Sequence, residues 1–513
     1  MNNHPFIKLT PFVASGILLA DFINYSASHH YIFLLLIIGA LLLVLKYKKP
    51  KTVLILVIIQ LIGIGLFIRG IEIKEFKTPD HLSPGDYNIV GLVEEVKATE
   101  DRVRILIVTR SIQKQTTLKT KFNILVYGNC EQLRQITKGQ ELMLKNIRLK
   151  DINKSWNPGY ISWLEQKKVK KVVHLAKCSH ISQINTASTD NFQKKNKQIK
   201  NILQKLYPEP TIRGIMEALI LGDKSNINNE TKEAYIKTGA IHILAISGLH
   251  VGLIFSVPFF LIRLFTNNRF IVYSGSMLVI VLFTILTGAG PSVARASCML
   301  GLFSIGKMCR KNMNVLNILF TTAMILSVIR PSIIYQIGFQ LSFFAVFGII
   351  NYQHHLKSIW RPKFKLTDYL WQLNVISIAA QIGTLGLSLY HFAAFSLLFP
   401  FSGPIIIPLA PIILIVGMSS VGLYPINPLM AELLANFNTR IISFQNHLLT
   451  EISQFDGLYL RELHIGILEV ITYYSFIICF AFSHKKLTWL KILLALLFMI
   501  CFSVSEKKAF SVI

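Results

Sequence analysis

Gly239-Ala-Ile-His-Ile-Leu-Ala-Ile-Ser-Gly-Leu-His250 decides the fold, because it sets Ser247, Gly248 and His250 inside an apolar segment of membrane length. Hydrocarbon offers such groups no partner. They persist only where protein or water satisfies them, so they mark an internal path. The flanking sequence adds an anomaly of charge. From Ala234 to Thr367 there is no Asp or Glu, while Lys237, Arg263, Arg269, Arg295, Lys307, Arg310, Lys311, Arg330, Lys357, Arg361, Lys363 and Lys365 are all cationic. A passage for a polyanion would have this pattern.

The rest of the composition sets the class. The chain has 513 residues, 52% of them hydrophobic, and a mean hydropathy of +0.51. Apolar runs of about 20 residues recur, which excludes a soluble enzyme and makes it a multi-pass membrane protein. The net charge of +27 sits partly outside the spans, as in Asn191-Phe-Gln-Lys-Lys-Asn-Lys-Gln-Ile-Lys200. Basic loops of this kind also serve simply to orient the helices. Cys298, Cys309, Cys479 and Cys501 lie in or beside apolar segments and read as small hydrophobes. Cys130 and Cys178 are the pair outside the spans, and they are disulfide candidates if that region faces an oxidising compartment. The run from Phe12 to Phe22 lacks a cleavage-site pattern and reads as a first span.

The expected fold is mainly α: a polytopic membrane protein with an inserted periplasmic all-β domain resembling an oligonucleotide-binding (OB) fold. Residues 1–70 hold three transmembrane helices, near 6–24, 31–46 and 52–69. Lys46, Lys48, Lys49 and Lys51 put the loop between the second and third in the cytoplasm, so the chain beyond the third span is external. Residues 71–185 switch to short alternating runs, Tyr87–Lys97, Arg102–Ile112, Leu118–Tyr127, Glu141–Lys150 and Lys170–Cys178. Five strands separated by polar turns point to a small barrel. Residues 186–235 form a basic linker with an amphipathic helix through Thr211–Leu221. Residues 236–505 form a second membrane block, with spans near 240–262, 270–288, 292–309, 314–329, 333–351 and 370–390. Pro400, Pro404, Pro408 and Pro411 then interrupt an apolar run. It is either one kinked span or a re-entrant pair of half-helices, with the charge rule favouring the pair. Two last spans fall near 464–482 and 487–504.

Within that block the candidate channel-lining residues are His242, Ser247, Gly248, His250, Ser292, Arg295, Gln340 and His391. On one helix of ~3.6 residues per turn, His242, Ser247 and His250 share an arc of about 140°. Each could equally bond a neighbouring helix as packing glue. Gly288-Ala-Gly-Pro-Ser-Val-Ala-Arg295 breaks one span and starts the next, placing helix-start amides and a guanidinium together, a combination suited to phosphate oxygens. Its plainer reading is a tight turn with an interfacial Arg. The stripe Gly290, Ala294, Ser297, Gly301 and Ser304 reads as close helix packing. In the external domain, Arg102, Arg104, Lys119, Lys121, Lys145, Arg148 and Lys150, with Trp156 and Trp163, are candidate DNA-binding residues. Single strands need cations for phosphates and rings for bases, although solvated strand faces also carry lysines. There is no G-x-x-x-x-G-K-[ST] loop and no His-x-His-x-Asp-His cluster, so neither ATP hydrolysis nor a metallo-nuclease centre is expected. The acid-free stretch also lacks the carboxylates of a proton-coupled pump.

At these residues the chain resembles the ComEC family of competence proteins. The likeness rests on Ile241-His-Ile-Leu-Ala-Ile-Ser-Gly-Leu-His-Val-Gly252 and on Gly288–Met299, which is similar to a G-x-x-P-S-x-x-R-A-x-x-M pattern. Ile337-Gly-Phe-Gln-Leu-Ser-Phe-Phe-Ala345 and Gln381-Ile-Gly-Thr-Leu-Gly-Leu-Ser-Leu-Tyr-His-Phe392 add to it. Asn157-Pro-Gly159 resembles the family's N-P-G-x-F-D motif, with Ile161-Ser162 in place of Phe-Asp. The resemblance covers the chain to about residue 420. It implies an inner-membrane channel passing one strand of incoming DNA to the cytoplasm, without the C-terminal β-lactamase-like domain that many members carry. The implied partners are single-stranded DNA, the lipid bilayer, a periplasmic DNA receptor, a cytoplasmic DNA motor or single-strand-binding protein, and a second copy of the chain in a homo-oligomer. No cofactor, metal or enzymatic activity is expected. The rival readings are a secondary transporter for a small anion, a membrane-bound nuclease and a platform for an envelope protein.

Overall fold

The computed structural model describes residues 5–22, 61–69, 86–98, 103–113, 117–118, 123–128, 136, 140–148, 169–174, 181–185, 191–244, 246–287, 290–311, 313–463 and 465–482. The chain forms two compact units, Met1–Lys197 with Met324–Gln336, and Gln198–Ala323 with Ile337–Ile513.

In the first unit, α1 (Pro5–Phe22) and α2 (61–69) fall where the first and third spans were expected. The second span and its lysine loop lie outside the described residues. The two helices touch backbone to backbone at glycines. A Cβ on Gly16 would stand 2.1 Å from the Ile62 carbonyl oxygen, and one on Gly65 would stand 2.3 Å from that of Val13. Small residues at such a crossing let two apolar helices gain contact that lipid cannot supply.

The sheet of this unit comprises β1 (Asp86–Ala98), β2 (Val103–Gln113), β3 (Thr117–Leu118), β4 (Asn123–Gly128), β5 (Glu141–Arg148), β6 (Val169–His174) and β7 (Ile181–Asn185). Its order is β6-β4-β2-β1-β5-β7, with β3 beside β2. All pairings are antiparallel except β4 with β6. The alternation predicted the strands, though not their order, because residues two apart share a face. Val103, Ile105 and Ile107 of β2 are buried with Ile89, Val93, Ile124, Val126, Leu142 and Leu144, each contributing about 1.5–3 kcal/mol by leaving water. Five strands match the expected runs, and β3 and β7 are additional. The register of β1 slips at Val90/Gly91. A Cβ on Gly91 would meet the Ile107 Cγ2 at 2.5 Å, so the bulge needs glycine.

Three linker helices, α3 (Asn191–Leu206), which enters the second unit at Gln198, α4 (Pro210–Leu221) and α5 (Asn229–Lys237), precede the membrane block. They are more helical than the single predicted stretch. The Tyr207 hydroxyl lies 3.1 Å from the Ser420 Oγ and accepts from the Asn438 Nδ2 at 3.1 Å. Tyr235 donates to the Asn446 Oδ1 at 2.9 Å. Buried hydroxyls with partners inside the protein hold these helices in place.

The block itself runs α6 (Gly248–Phe265), α7 (Arg269–Leu286), α8 (Pro291–Met308), α9 (Val315–Ile329), α10 (Ile337–Ile359), α11 (Lys365–Phe392), α12 (Phe399–Leu423), α13 (Pro428–Ser453) and α14 (Ile467–Phe482). Four of these, α6, α7, α11 and α12, are long and apolar enough to cross a membrane. Phe260, Leu264, Phe265, Leu278, Leu282 and Ile285 are exposed on α6 and α7, as faces turned to lipid would be. Helices α10 and α11 cross at Gly348 and Gly383, where a Cβ would stand 2.3 Å from the Ala379 oxygen and 2.0 Å from the Phe344 oxygen respectively.

Two local expectations are corrected. The segment 240–262 is not one helix: Gly239 takes φ +74°, residues 241–244 form turns, and helix begins only at Gly248. The shared arc of His242 with Ser247 and His250 therefore does not exist. Further on, the proline-rich run is one 25-residue helix rather than a re-entrant pair, with Pro404, Pro408 and Pro411 inside it. Their spacing of four and three keeps the missing N–H groups on one side. Helix α13 was not anticipated, and the expected span 487–504 lies outside the described residues.

Candidate functional site

Helix α6 starts because Ser247 is extended (φ −101°, ψ 170°) and frees the next turn. The Ser247 backbone N–H donates to the His250 Nδ1 at 3.0 Å, and the Ser247 Oγ lies 3.3 Å from the same nitrogen. This is the reciprocal half of a capping box, with histidine in the place usually held by Glu or Gln. A ring nitrogen that accepts an amide hydrogen carries none of its own, so neutral His250 has its proton on Nε2. His250 is 1% exposed, and its Nε2 is buried with no hydrogen-bond partner among the described residues.

The neighbouring helix starts the same way round. A Cβ on Gly248 would stand 3.8 Å from the Ala296 Cβ, which sets the beginning of α6 against the second turn of α8. Helix α8 opens with Gly290 and Pro291, the residue pair that permits a sharp start with one fewer orphan amide. One turn in, Arg295 is 3% exposed. Its Nη1 donates to the Gly338 carbonyl at the start of α10, and its Nη2 donates to the Ser292 Oγ at 3.2 Å. The guanidinium carbon lies 5.9 Å and 5.8 Å from the ring centres of Phe339 and Phe343. Its Nε is buried and has no partner among the described residues.

Three helix starts, those of α6, α8 and α10, thus meet around Ala296 and Arg295. Each end leaves amide hydrogens unpaired and carries a partial positive charge of about one half. Among the described residues no carboxylate pairs with the guanidinium, and the sequence supplies none between Ala234 and Thr367. A Cβ at Gly252, Gly290 or Gly338 would meet nothing within 4 Å, so open space borders the cluster. A buried cation and three helix starts, without an acid, can accept an anion.

The structure sets Gly248, at the helix start that Ser247 and His250 share, against Ala296 beside Arg295, which bonds Ser292. Gln340 is half-buried two residues beyond Gly338. His242 is exposed in the turn before α6, its Nδ1 3.1 Å from the Gly239 oxygen. His391 is half-buried at the end of α11, its ring centre 5.0 Å from that of Tyr390. In the sheet, Arg104 on β2 is half-buried and faces Tyr127 across the β4 pairing. Lys145 is exposed on β5, which Arg148 ends. Arg102, Lys119, Lys121, Lys150, Trp156, Trp163, Cys130 and Cys178 lie outside the described residues.

The sequence reading missed the Gly338 carbonyl and the rings of Phe339 and Phe343. The spacing of four between those rings, in a helix that also carries small residues, was the available signal. Among the described residues, no group of His, Cys, Asp or Glu could hold a metal ion.

Comparison with known proteins places these features in context. A family model described as "Competence protein" matches residues 219–487. ComE operon protein 3 of Bacillus subtilis is 28% identical over 407 residues, covering 78% of this chain and 51% of that protein. An uncharacterized protein of Aquifex aeolicus is 31% identical over 159 residues, 30% of this chain and 38% of its own length. Recombination protein 2 of Haemophilus influenzae is 24% identical over 144 residues, 27% of this chain and 17% of its own. The chain spans about half the length of the first of these relatives and less of the others. No solved structure matches it.

Proposed function

Because the chain belongs to the ComEC family of competence proteins, we propose that it is an inner-membrane channel carrying single-stranded DNA into the cytoplasm during natural transformation. The observation that carries this reading is the meeting of three helix starts at Arg295, a buried cation whose partners are all uncharged. A phosphodiester brings the missing negative charge. Open space at the bordering glycines is where we place the strand, with His242, Gln340 and His391 assigned as further lining.

In this reading the sheet domain is periplasmic and receives the strand. The path β1-β2-β4, the parallel β4–β6 pair and β5 on the other side of β1 support an oligonucleotide-binding barrel. Arg104, Lys145 and Arg148 contact phosphates together with Arg102, Lys119, Lys121 and Lys150, while Trp156 and Trp163 stack on bases. The chain has no nucleotide-binding loop, so a cytoplasmic motor or single-strand-binding protein supplies direction, a periplasmic receptor delivers DNA, and the channel works as a homo-oligomer without cofactor or catalysis.

The test is deletion of the gene in a transformable host, with labelled DNA then supplied. Label should accumulate in the periplasm and disappear from the cytoplasm; unchanged cytoplasmic label removes the reading. Binding of single strands by the purified chain should weaken with log salt at a slope of about −0.7 per phosphate contact. A second reading, transport of a small anion, draws on the same helix starts. Phosphate uptake by reconstituted vesicles, with transformation intact after deletion, would establish it instead.

A further inference from the structure

The connection between α10 and α11 holds chemistry that the proposed path through Arg295 does not use. Helix α10 has 23 residues and is about 35 Å long, so its last turn stands that far from the Gly338 end. There the chain runs Lys357-Ser-Ile-Trp-Arg-Pro-Lys-Phe-Lys-Leu366. Lys357, Arg361, Lys363 and Lys365 are exposed, and so are the rings of Trp360, at 53%, and Phe364, at 76%. The first carboxylate after this run, Asp368, accepts from the Gln372 Nε2 at 2.5 Å, and among the described residues it makes no ion pair with these cations.

Beneath the loop, Trp360 meets Trp371 edge to face with ring centres 5.4 Å apart. The Trp371 Nε1 and, one turn along α11, the Asn374 Oδ1 are buried atoms without a hydrogen-bond partner among the described residues. A lone indole N–H and a lone amide oxygen each cost free energy unless something fills them. Residues that anchor a helix at a membrane boundary would account for the cations and rings. They would not account for a donor and an acceptor left unfilled three residues apart on α11. A nucleobase edge supplies both complements, its faces stack on rings, and its phosphate meets the cations.

We infer that the α10–α11 connection is a second binding site for single-stranded DNA, which receives the strand at the end of α10 opposite Arg295. It rests on the channel reading and names a separate site within it. Phosphates lie along Arg361, Lys363 and Lys365, a base stacks on the exposed Trp360 ring, and its edge meets the Trp371 N–H and the Asn374 oxygen only when the loop above those buried atoms opens.

The full chain in nanodiscs of zwitterionic lipid tests this with a 5-bromouracil-substituted single strand. Ultraviolet crosslinks should map to the peptide containing residues 360–374. Trp360→Ala should weaken binding roughly 5- to 150-fold, with Trp360→Phe recovering most of it. Arg361→Gln with Lys363→Gln should reduce the salt slope by about 1.4. Unchanged DNA affinity in all these variants with crosslinks elsewhere overturns the inference, as does loss only of binding to anionic vesicles, which would make the loop a lipid anchor. The channel reading survives either result if Arg295→Met still lowers uptake; failure of the unaltered chain to bind any single strand removes both.

Discussion

Replacing Arg295 by Met separates stability from transport, because the structure sets opposing terms on the guanidinium. The charged hydrogen bond to the Gly338 carbonyl contributes about 1.5–3 kcal/mol, and the contacts with Phe339 and Phe343 contribute about 0.5–1 kcal/mol each. Against them stands the cost of keeping a cation dry with no opposite charge, which is several kcal/mol. Methionine has similar length, removes that cost and still packs on the rings, so the folded protein should change by less than about 1.5 kcal/mol. Transport has no such compensation. Loss of one charge-assisted phosphate contact at about 1.5–3 kcal/mol should lower cytoplasmic delivery of DNA about 10- to 150-fold. Arg295→Lys keeps the charge without the planar fork and should fall between. The assay is transformation frequency normalised to protein in isolated membranes. Normal frequency in Arg295→Met, with normal protein, would refute the role given to this side chain.

Other substitutions probe the supporting structure. His250→Gln should keep the amount of protein in the membrane, since glutamine can accept the Ser247 N–H, while His250→Ala should cost about 1 kcal/mol of helix-start stability; thermal melts in detergent distinguish them. Gly383→Ala places a methyl 2.0 Å from the Phe344 oxygen and should destabilise by at least about 1–3 kcal/mol, read as loss of protein from the membrane; an unaltered melting temperature would deny the close crossing. Burial tends to raise the pKa of the Asp223 carboxyl, but Lys200 at 2.5 Å and the Ser225 hydrogen bonds outweigh that and hold it below the usual carboxylate range. This pair therefore stabilises the fold above the ordinary pKa and is lost as pH falls through the lowered one, below about pH 4. Asp223→Asn should flatten the acid limb of the melting curve by under about 1 kcal/mol, since both side chains are partly exposed.

What could be read from sequence was what repeats along the chain. Ile105 and Ile107 alternate with Arg104, so the strands were legible, whereas β7 is only Ile-Ser-Gln-Ile-Asn and gives too short a period to register. The break before Gly248 was hidden because Ala240 to Ile246 is apolar but for His242 whether helical or not; its visible signs were a glycine at 239 and the Ser247-x-x-His250 spacing. Helix α13 escaped because Leu429, Leu433, Phe437 and Phe444 share their exposed side with Glu432 and Arg440. The residue types at the candidate site were evident, but the partner of Arg295 is a backbone carbonyl, and no side-chain pattern announces one.

That carbonyl explains why the absence of acid matters. A carboxylate beside Arg295 would form a bidentate pair in a dry setting, and breaking a buried pair of that kind costs about 3–5 kcal/mol. Gly338 and Ser292 hold the guanidinium without neutralising it, so a phosphate can displace them at the cost of two hydrogen bonds and bring charge in return. Ser292 is the place to reverse this logic, since its Oγ is already 3.2 Å from Nη2. Ser292→Asp should pair with Arg295 and also suit the first turn of α8, where negative charge is favoured. Protein amount and melting temperature should hold or rise, while uptake falls as far as in Arg295→Met. Ser292→Asn, similar in shape but uncharged, should retain most of the uptake. If Ser292→Asp transports DNA normally, the guanidinium is a packing element and the strand passes elsewhere.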